Sequence, residues 1–331
     1  MVLNLISMVV ISLLGAEACT LPDPSAGTRM DYSDMRGYYL DGDRADRFVR
    51  YAPVFIVEEY SKSYNRIGTP SARYDDQEEE DIYVDSTQAT YYTEVLNWES
   101  STHKYTNLIY RVHFEMSKKN KFSTDGGKGY NTGSMVIVTI NEKEEPVLVN
   151  VIQTCGCFHV LLPTNYLDDS VLPEHWAKDE QTVYGEKLSG SLKYSETFSP
   201  DVHPVIFLRS ANHRAAEIHA ATLASTKDKY PLTQADLMPM DALDHLKLGD
   251  GDTSFFHTEG KYKGLVKGAI KKKETFLLGA IVGDSRVGQD RRYGSPVEVP
   301  RGFYTSIKPG KQDASDMWDY PVFLQYEGWN F

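Results

Sequence analysis

Apolar and polar residues alternate most clearly over residues 108–116. Leu108, Tyr110, Val112, Phe114 and Met116 are apolar, and the odd positions from 111 onward are Arg111, His113 and Glu115. A period of two is that of a strand with one face in a core and the other toward water or a cleft. Further strands are predicted at residues 51–57, 89–95, 158–162 and 205–208. Residues 135–140 and 146–152 flank Asn141-Glu142-Lys143-Glu144-Glu145 and read as a hairpin. Residues 215–224 fit either strand or helix, 275–282 are ambiguous, and residues 233–246 predict a short helix. Many short strands with Gly and Pro turns, then a more mixed end, predict an α+β, mostly-β fold. Its centre is an antiparallel β-sandwich-like core, with short helices towards the C-terminus.

The first nineteen residues follow a different pattern. Residues 2–14 are apolar except for Asn4, Ser7 and Ser12, and Gly15-Ala16-Glu17-Ala18 leads to Cys19. Such a run is short for a membrane-spanning helix and the right length for the core of an export signal. Ala16-Glu17-Ala18 resembles a signal-peptidase ending. The small residues before Cys19 also resemble a bacterial lipobox, although Ala16 stands where a branched apolar residue is usual and no Lys or Arg precedes the run. Residues 20–28 are rich in Pro, Gly and Ser, the composition of a flexible tether. The expected organisation is a signal peptide over 1–18, a lipoprotein-type tether over 19–30 with Cys19 lipidated, and one β-rich globular domain over 31–331. The expected location is the periplasm or outer membrane, with the membrane itself as a partner through the lipid anchor.

Composition narrows the partners. The net charge of -12 argues against nucleic-acid binding, which needs clustered positive charge. No Asn-x-Ser/Thr acceptor occurs, in keeping with a bacterial envelope protein. Against the acidic background, Lys267, Lys271, Lys272, Lys273, Arg286, Arg291 and Arg292 reverse the sign locally. They are either a solvated face or an anion-binding patch for lipid headgroups, an envelope protein or an acidic polymer. The acidic run over residues 75–81 has no calcium-loop spacing and reads as a solvated loop.

Candidate chemistry is sparse. In Cys155-Gly156-Cys157-Phe158-His159, alternate residues of a flat strand would stand ~7 Å apart, too far for two sulfurs on one metal. Gly156 permits a bulge that brings the sulfurs together. Export then favours a Cys155–Cys157 disulfide, with two buried thiols or a thiol-redox or soft-metal pair as alternatives. His113 and Glu115 share a strand face and, with His159 and His213, form a candidate acid–base set for a hydrolase cleft. The plainer reading of that face is cross-strand pairing of charges. His213, Glu217 and His219 do not match His-Glu-x-x-His, and the Gly-rich residues 126–133 lack a phosphate-loop ending. No metal site and no cofactor is implied. Dense aromatics over residues 318–331 either pin the terminus into the core or stack sugars.

Three stretches together, residues 151–162 with their Cys-Gly-Cys, 203–214 and 302–318, resemble an uncharacterised family of bacterial exported or lipoprotein-type proteins. That resemblance implies an envelope location and no assigned activity. A looser likeness, through residues 108–114 and His203-Pro204-Val205, is to the β-sandwich proteins of the necrosis-inducing and vacuolar-sorting type. Thr132-Gly133-Ser134-Met135 stands where those proteins carry Gly-Asp-Trp-Glu, so no residue role is carried over. The expected function is that of a cell-envelope lipoprotein that binds a partner or is structural. The alternatives are an exported hydrolase with a His/Glu cleft and a thiol-redox or metal-handling protein.

Overall fold

The computed structural model describes residues 26–117, 129–271, 283–284 and 286–331. Cys19, Lys272, Lys273 and the ambiguous segment 275–282 lie outside the described residues. The protein is an α+β, mostly-β molecule in which two sheets pack face to face, and strand Lys104–His113 lies near the centre of the larger one.

Alternation along that strand decides the layering. Leu108, Tyr110, Val112 and Phe114 enter a core shared with Phe55, Ile206 and Leu208 of the other sheet. The six-stranded sheet runs His159–Pro163, Pro146–Gln153, Gly133–Ile140, Lys104–His113, Thr90–Glu99, Asp236–Pro239, antiparallel except for the last pair. The predicted hairpin is present. The Asn141 side-chain carbonyl accepts from the Lys143 and Glu145 backbone N–H groups at 2.9 and 3.0 Å, an arrangement that closes the turn without a glycine. The five-stranded sheet runs Ala215–Thr222, Val202–Leu208, Val54–Val57, Arg36–Tyr39, Leu232–Gln234. Residues 215–222, readable either way in the sequence, are therefore strand.

The helix predicted over residues 233–246 does not form. Strands Leu232–Gln234 and Asp236–Pro239 occupy its first half, each joining a different sheet in parallel, and a short 3-10 turn, Met240–Asp244, follows. Pro239 explains the failure: it has no N–H to donate and disfavours helical backbone at Met238. The acidic run forms the turn between strands Thr69–Tyr74 and Glu80–Asp85, where the Asp75 carboxylate accepts from the backbone of Gln77 and Glu79.

A third, irregular layer covers the face of the six-stranded sheet that points away from the five-stranded one. Tyr293, Phe303, Met317, Tyr320, Phe323 and Trp329 pack there on Ile109, Met135, Ile137, Leu148 and Leu161. The terminal aromatics are thus packing residues first, and short helix Tyr320–Tyr326, with proline in its first turn, holds several of them. At the other end of the chain, Gly27 and Thr28 are fastened to the body. The Gly27 N–H and the Thr28 carbonyl bond to Glu186 and Arg209, which form a buried two-pronged ion pair at 2.9 and 2.8 Å.

Candidate functional site

The odd-numbered face of strand Lys104–His113 meets neither water nor a cleft. Arg111 and His113 are fully buried beneath the third layer. The Arg111 Nε donates to His113 Nε2 at 2.8 Å and Nη1 donates to the Arg291 carbonyl at 2.9 Å. His113 is thereby an acceptor with its proton on Nδ1, and its ring lies edge-on to Phe255. Burial, and then the charge of Arg111, hold its pKa well below the ordinary histidine value. Burial also lowers Arg111 to about 9. A neutral histidine spent on a guanidinium is a structural acceptor.

The other candidates lie elsewhere. Phe114, one residue on from His113, faces the opposite side of the sheet, and His213 stacks on it with ring centroids 3.9 Å apart. His213 also contacts the Tyr64 carbonyl, and burial lowers its pKa to about 4. Glu115 accepts from the Ser63 and Ser86 hydroxyls at 2.8 and 2.5 Å. His159 shares a cross-strand row with Ile152, Met135 and Arg111, which places it three strand spacings, ~14 Å, from Arg111. The proposed acid–base set therefore does not converge, since acid–base catalysis acts at hydrogen-bond range.

The expected cation patch is also dispersed. Lys267 pairs with Glu80 at 2.7 Å, Lys271 with Asp290 at 3.2 Å, Arg286 with Asp284 at 3.1 Å and Arg292 with Asp244 at 2.8 Å. Arg291 is buried, with its guanidinium over the Tyr304 ring. Local sequence density placed these cations together, but the third layer turns most of them inward onto carboxylates. Asp290 also accepts from the Thr154 hydroxyl at 2.5 Å, which ties the layer to the sheet.

Cys155 and Cys157 are buried free thiols, and the expected disulfide is not formed. Gly156 does supply the tight turn, with φ of 73° and an N–H bonded to the Gln153 carbonyl, but the Cys157 thiol donates to the Cys155 carbonyl at 3.7 Å. The hydrogen bond from Cys157, together with burial, pushes the Cys155 thiol well above the ordinary range, so it is a poor nucleophile. Among the described residues no group of three or more His, Cys, Asp or Glu side chains is placed to hold a metal ion.

Of the candidate set, His159 lines two surface clefts. Two surface clefts, of about 340 and 410 Å³, share a wall made by His159 and Glu327. His159 comes from an edge strand and Glu327 from the C-cap of helix Tyr320–Tyr326, and Nε2 and the carboxylate stand 3.4 Å apart. The imidazole Nδ1 is buried with no hydrogen-bond partner among the described residues. One cleft is polar and basic, lined by Ser306, Tyr326, Lys308 and Lys311. The other is aromatic, lined by Trp176, Tyr184 and Trp329 with Gln181.

Lys308-Pro309-Gly310-Lys311 explains the basic edge. Lys311 N–H donates to the Lys308 carbonyl at 3.1 Å and Gly310 has φ of 75°. This is the turn for which Pro then Gly is suited, and it brings its end residues within ~7 Å. Both lysines are exposed, and neither has an ion-pair partner among the described residues. Sequence reasoning passed over this turn. The Pro-Gly dipeptide between two lysines was the available signal, whereas nothing local links it to His159, some 150 residues earlier.

No family model, curated protein or solved structure matches the chain.

Proposed function

We propose that the protein is an exported, lipid-anchored envelope protein that binds a ligand at its surface, in the clefts that meet at His159 and Glu327. The observation that carries the binding reading is the shared wall: the His159–Glu327 pair separates a basic, hydroxyl-lined cleft from an aromatic one. Concave sites that combine aromatic side chains with a few convergent polar groups are the usual form of a small-molecule site. The hydrolase alternative loses its support with the separation of His113, Glu115 and His213 from this surface. The thiol alternative loses its support with the burial and raised pKa of Cys155. The export reading rests on the apolar leader and Cys19.

Two measurements test this. The full chain, expressed in a bacterial host and fed a labelled fatty acid, should carry the label and stay with membranes through a high-salt wash, and Cys19→Ser should lose the label and be released by that wash. Recovery from the cell interior with the initiator methionine in place overturns the anchoring. The Cys19→Ser chain should co-sediment with isolated envelope fragments, and Trp176→Ala should weaken that association. Equal sedimentation of the two, or none of either, overturns the assignment of binding to these clefts.

A further inference from the structure

We propose that the ligand of the paired clefts is an anionic oligosaccharide, with its acidic group over Lys308 and Lys311 and a neighbouring ring against Trp176 and Tyr184. This rests on the binding reading above and adds the ligand's chemical class.

Three features of the site select that class. First, charge and apolar surface are divided between adjoining clefts, each near the small end of the ~300–1,000 Å³ range of ligand sites. Each therefore suits one ring of a chain more than one large compact molecule. Second, the basic cleft is built for a single anionic group. Its two lysines sit at the ends of one turn, and the hydroxyls of Ser306 and Tyr326, bonded to each other at 3.0 Å, lie beside them. Unpaired ammonium groups are strong donors to carboxylate, sulfate or phosphate oxygens.

Third, Glu327 stands between the clefts. A carboxylate there accepts from sugar hydroxyls and repels a second closely spaced anionic group. A ligand with one acidic group per hydroxylated ring satisfies both demands, whereas a polyphosphate does not. The aromatic cleft adds apolar ring faces, onto which the C–H faces of a sugar pack. Trp176 is held for this by a hydrogen bond from its indole N–H to the Gly190 carbonyl at 2.9 Å and by contact with Trp329. The protein's own net charge of -12 repels a polyanion at long range. Recognition must therefore be short-range and local to the lysine turn, within a Debye length of ~8–10 Å.

The test is calorimetric titration of the Cys19→Ser chain with three probes: a tetragalacturonate, a neutral galactose tetramer and adenosine monophosphate. The acidic tetramer should bind about tenfold or more tightly than the neutral one. The double variant Lys308→Glu, Lys311→Glu should erase that preference. Trp176→Ala should weaken both tetramers together. Thermal melting of each variant separates lost binding from lost folding, and two variants with different expected effects keep the test open if one fails to fold. Equal affinity for the tetramers, an unchanged preference in the double variant, or tighter binding of the nucleotide overturns the proposal. If none of the probes binds while envelope fragments still associate in a Trp176-dependent manner, the ligand class is wrong and the binding reading stands. Loss of both removes the reading itself.

Discussion

Toward the five-stranded sheet, strand Lys104–His113 presents Tyr110 and Val112 to Phe55 and Ile206 in an apolar core. Toward the third layer, it presents Asn107, Arg111 and His113, alternating with Ile109. Both faces are buried, and they are held differently. A sheet packed on a sheet is positioned by its ladders, and apolar contact, which has no direction, fills the space between. The third layer is mostly irregular and has few ladders of its own to fix where it lies. Directional bonds set its position instead: Arg111 to the Arg291 carbonyl, the Arg291 N–H to the Thr154 carbonyl, and Thr154 to Asp290. Buried charge here specifies docking, and it brings a vulnerability that the apolar core lacks.

The sharpest way to break this comparison is at Asp290. Asp290→Leu leaves Lys271 buried without its carboxylate, and breaking a buried pair from one side costs about 3–5 kcal/mol. Adding Lys271→Met should return much of that loss, because replacing a whole buried pair by apolar groups is often neutral or better. Phe114→Ala should cost a similar ~3–5 kcal/mol by opening a cavity, and no second charge change should repair it. Urea unfolding of the variants gives the three numbers. A cost below ~1 kcal/mol for Asp290→Leu would mean that the charges do not hold the third layer.

Acid should act next, and on both faces. His203 and His213 have pKa values lowered to about 4 by burial, and His113 is lowered well below normal by burial and the Arg111 charge. The unfolded chain takes up their protons from 6.5 downward, while the folded protein does not until about pH 4 for His203 and His213. Between those values the unfolded state binds more protons, so stability falls as pH falls, by up to ~1.4 kcal/mol per pH unit for each histidine. Urea midpoints measured from pH 7.5 to 5 should therefore decline, and His213→Gln should flatten the decline. A stability that is constant over that range would show that these rings are protonated in the folded protein.

Much of the sheet structure was legible because alternation and turn chemistry are local. Leu108 to Phe114 announced a strand, and the Asn141 turn announced its hairpin. What the alternation did not carry was what covers the polar face. Arg111 and His113 read as facing water or a cleft because the residues that bury them, among them Phe255 and Arg291, lie more than 140 positions later. The cation patch failed for the same reason: Lys267, Lys271, Arg286 and Arg292 find carboxylates through the fold of the third layer. His159 was singled out for its neighbours Cys155 and Cys157, yet it borders the site through Glu327 and the lysine turn, which no local pattern connects to it. The binding surface lies where distant segments meet, and single-chain periodicity does not register such meetings.

The smallest expected effect separates the two uses of charge in the third layer. Lys308 and Lys311 belong to that layer but project from its exposed turn, without ion-pair partners among the described residues. Removing an exposed charge changes stability by no more than ~0.5 kcal/mol. Lys308→Ala and Lys311→Ala should therefore leave the urea midpoint unchanged within that margin, whereas Asp290→Leu in the same layer lowers it severalfold further. The glycine between them is a different matter. Gly310 has open space around it but a φ of 75°, so Gly310→Val would strain the turn and displace both lysines without filling or emptying any core. If the lysine variants destabilised the protein as much as Asp290→Leu, the exposed turn would be part of the docking network, and the division between charges that hold the layer and charges free to meet a ligand would be lost.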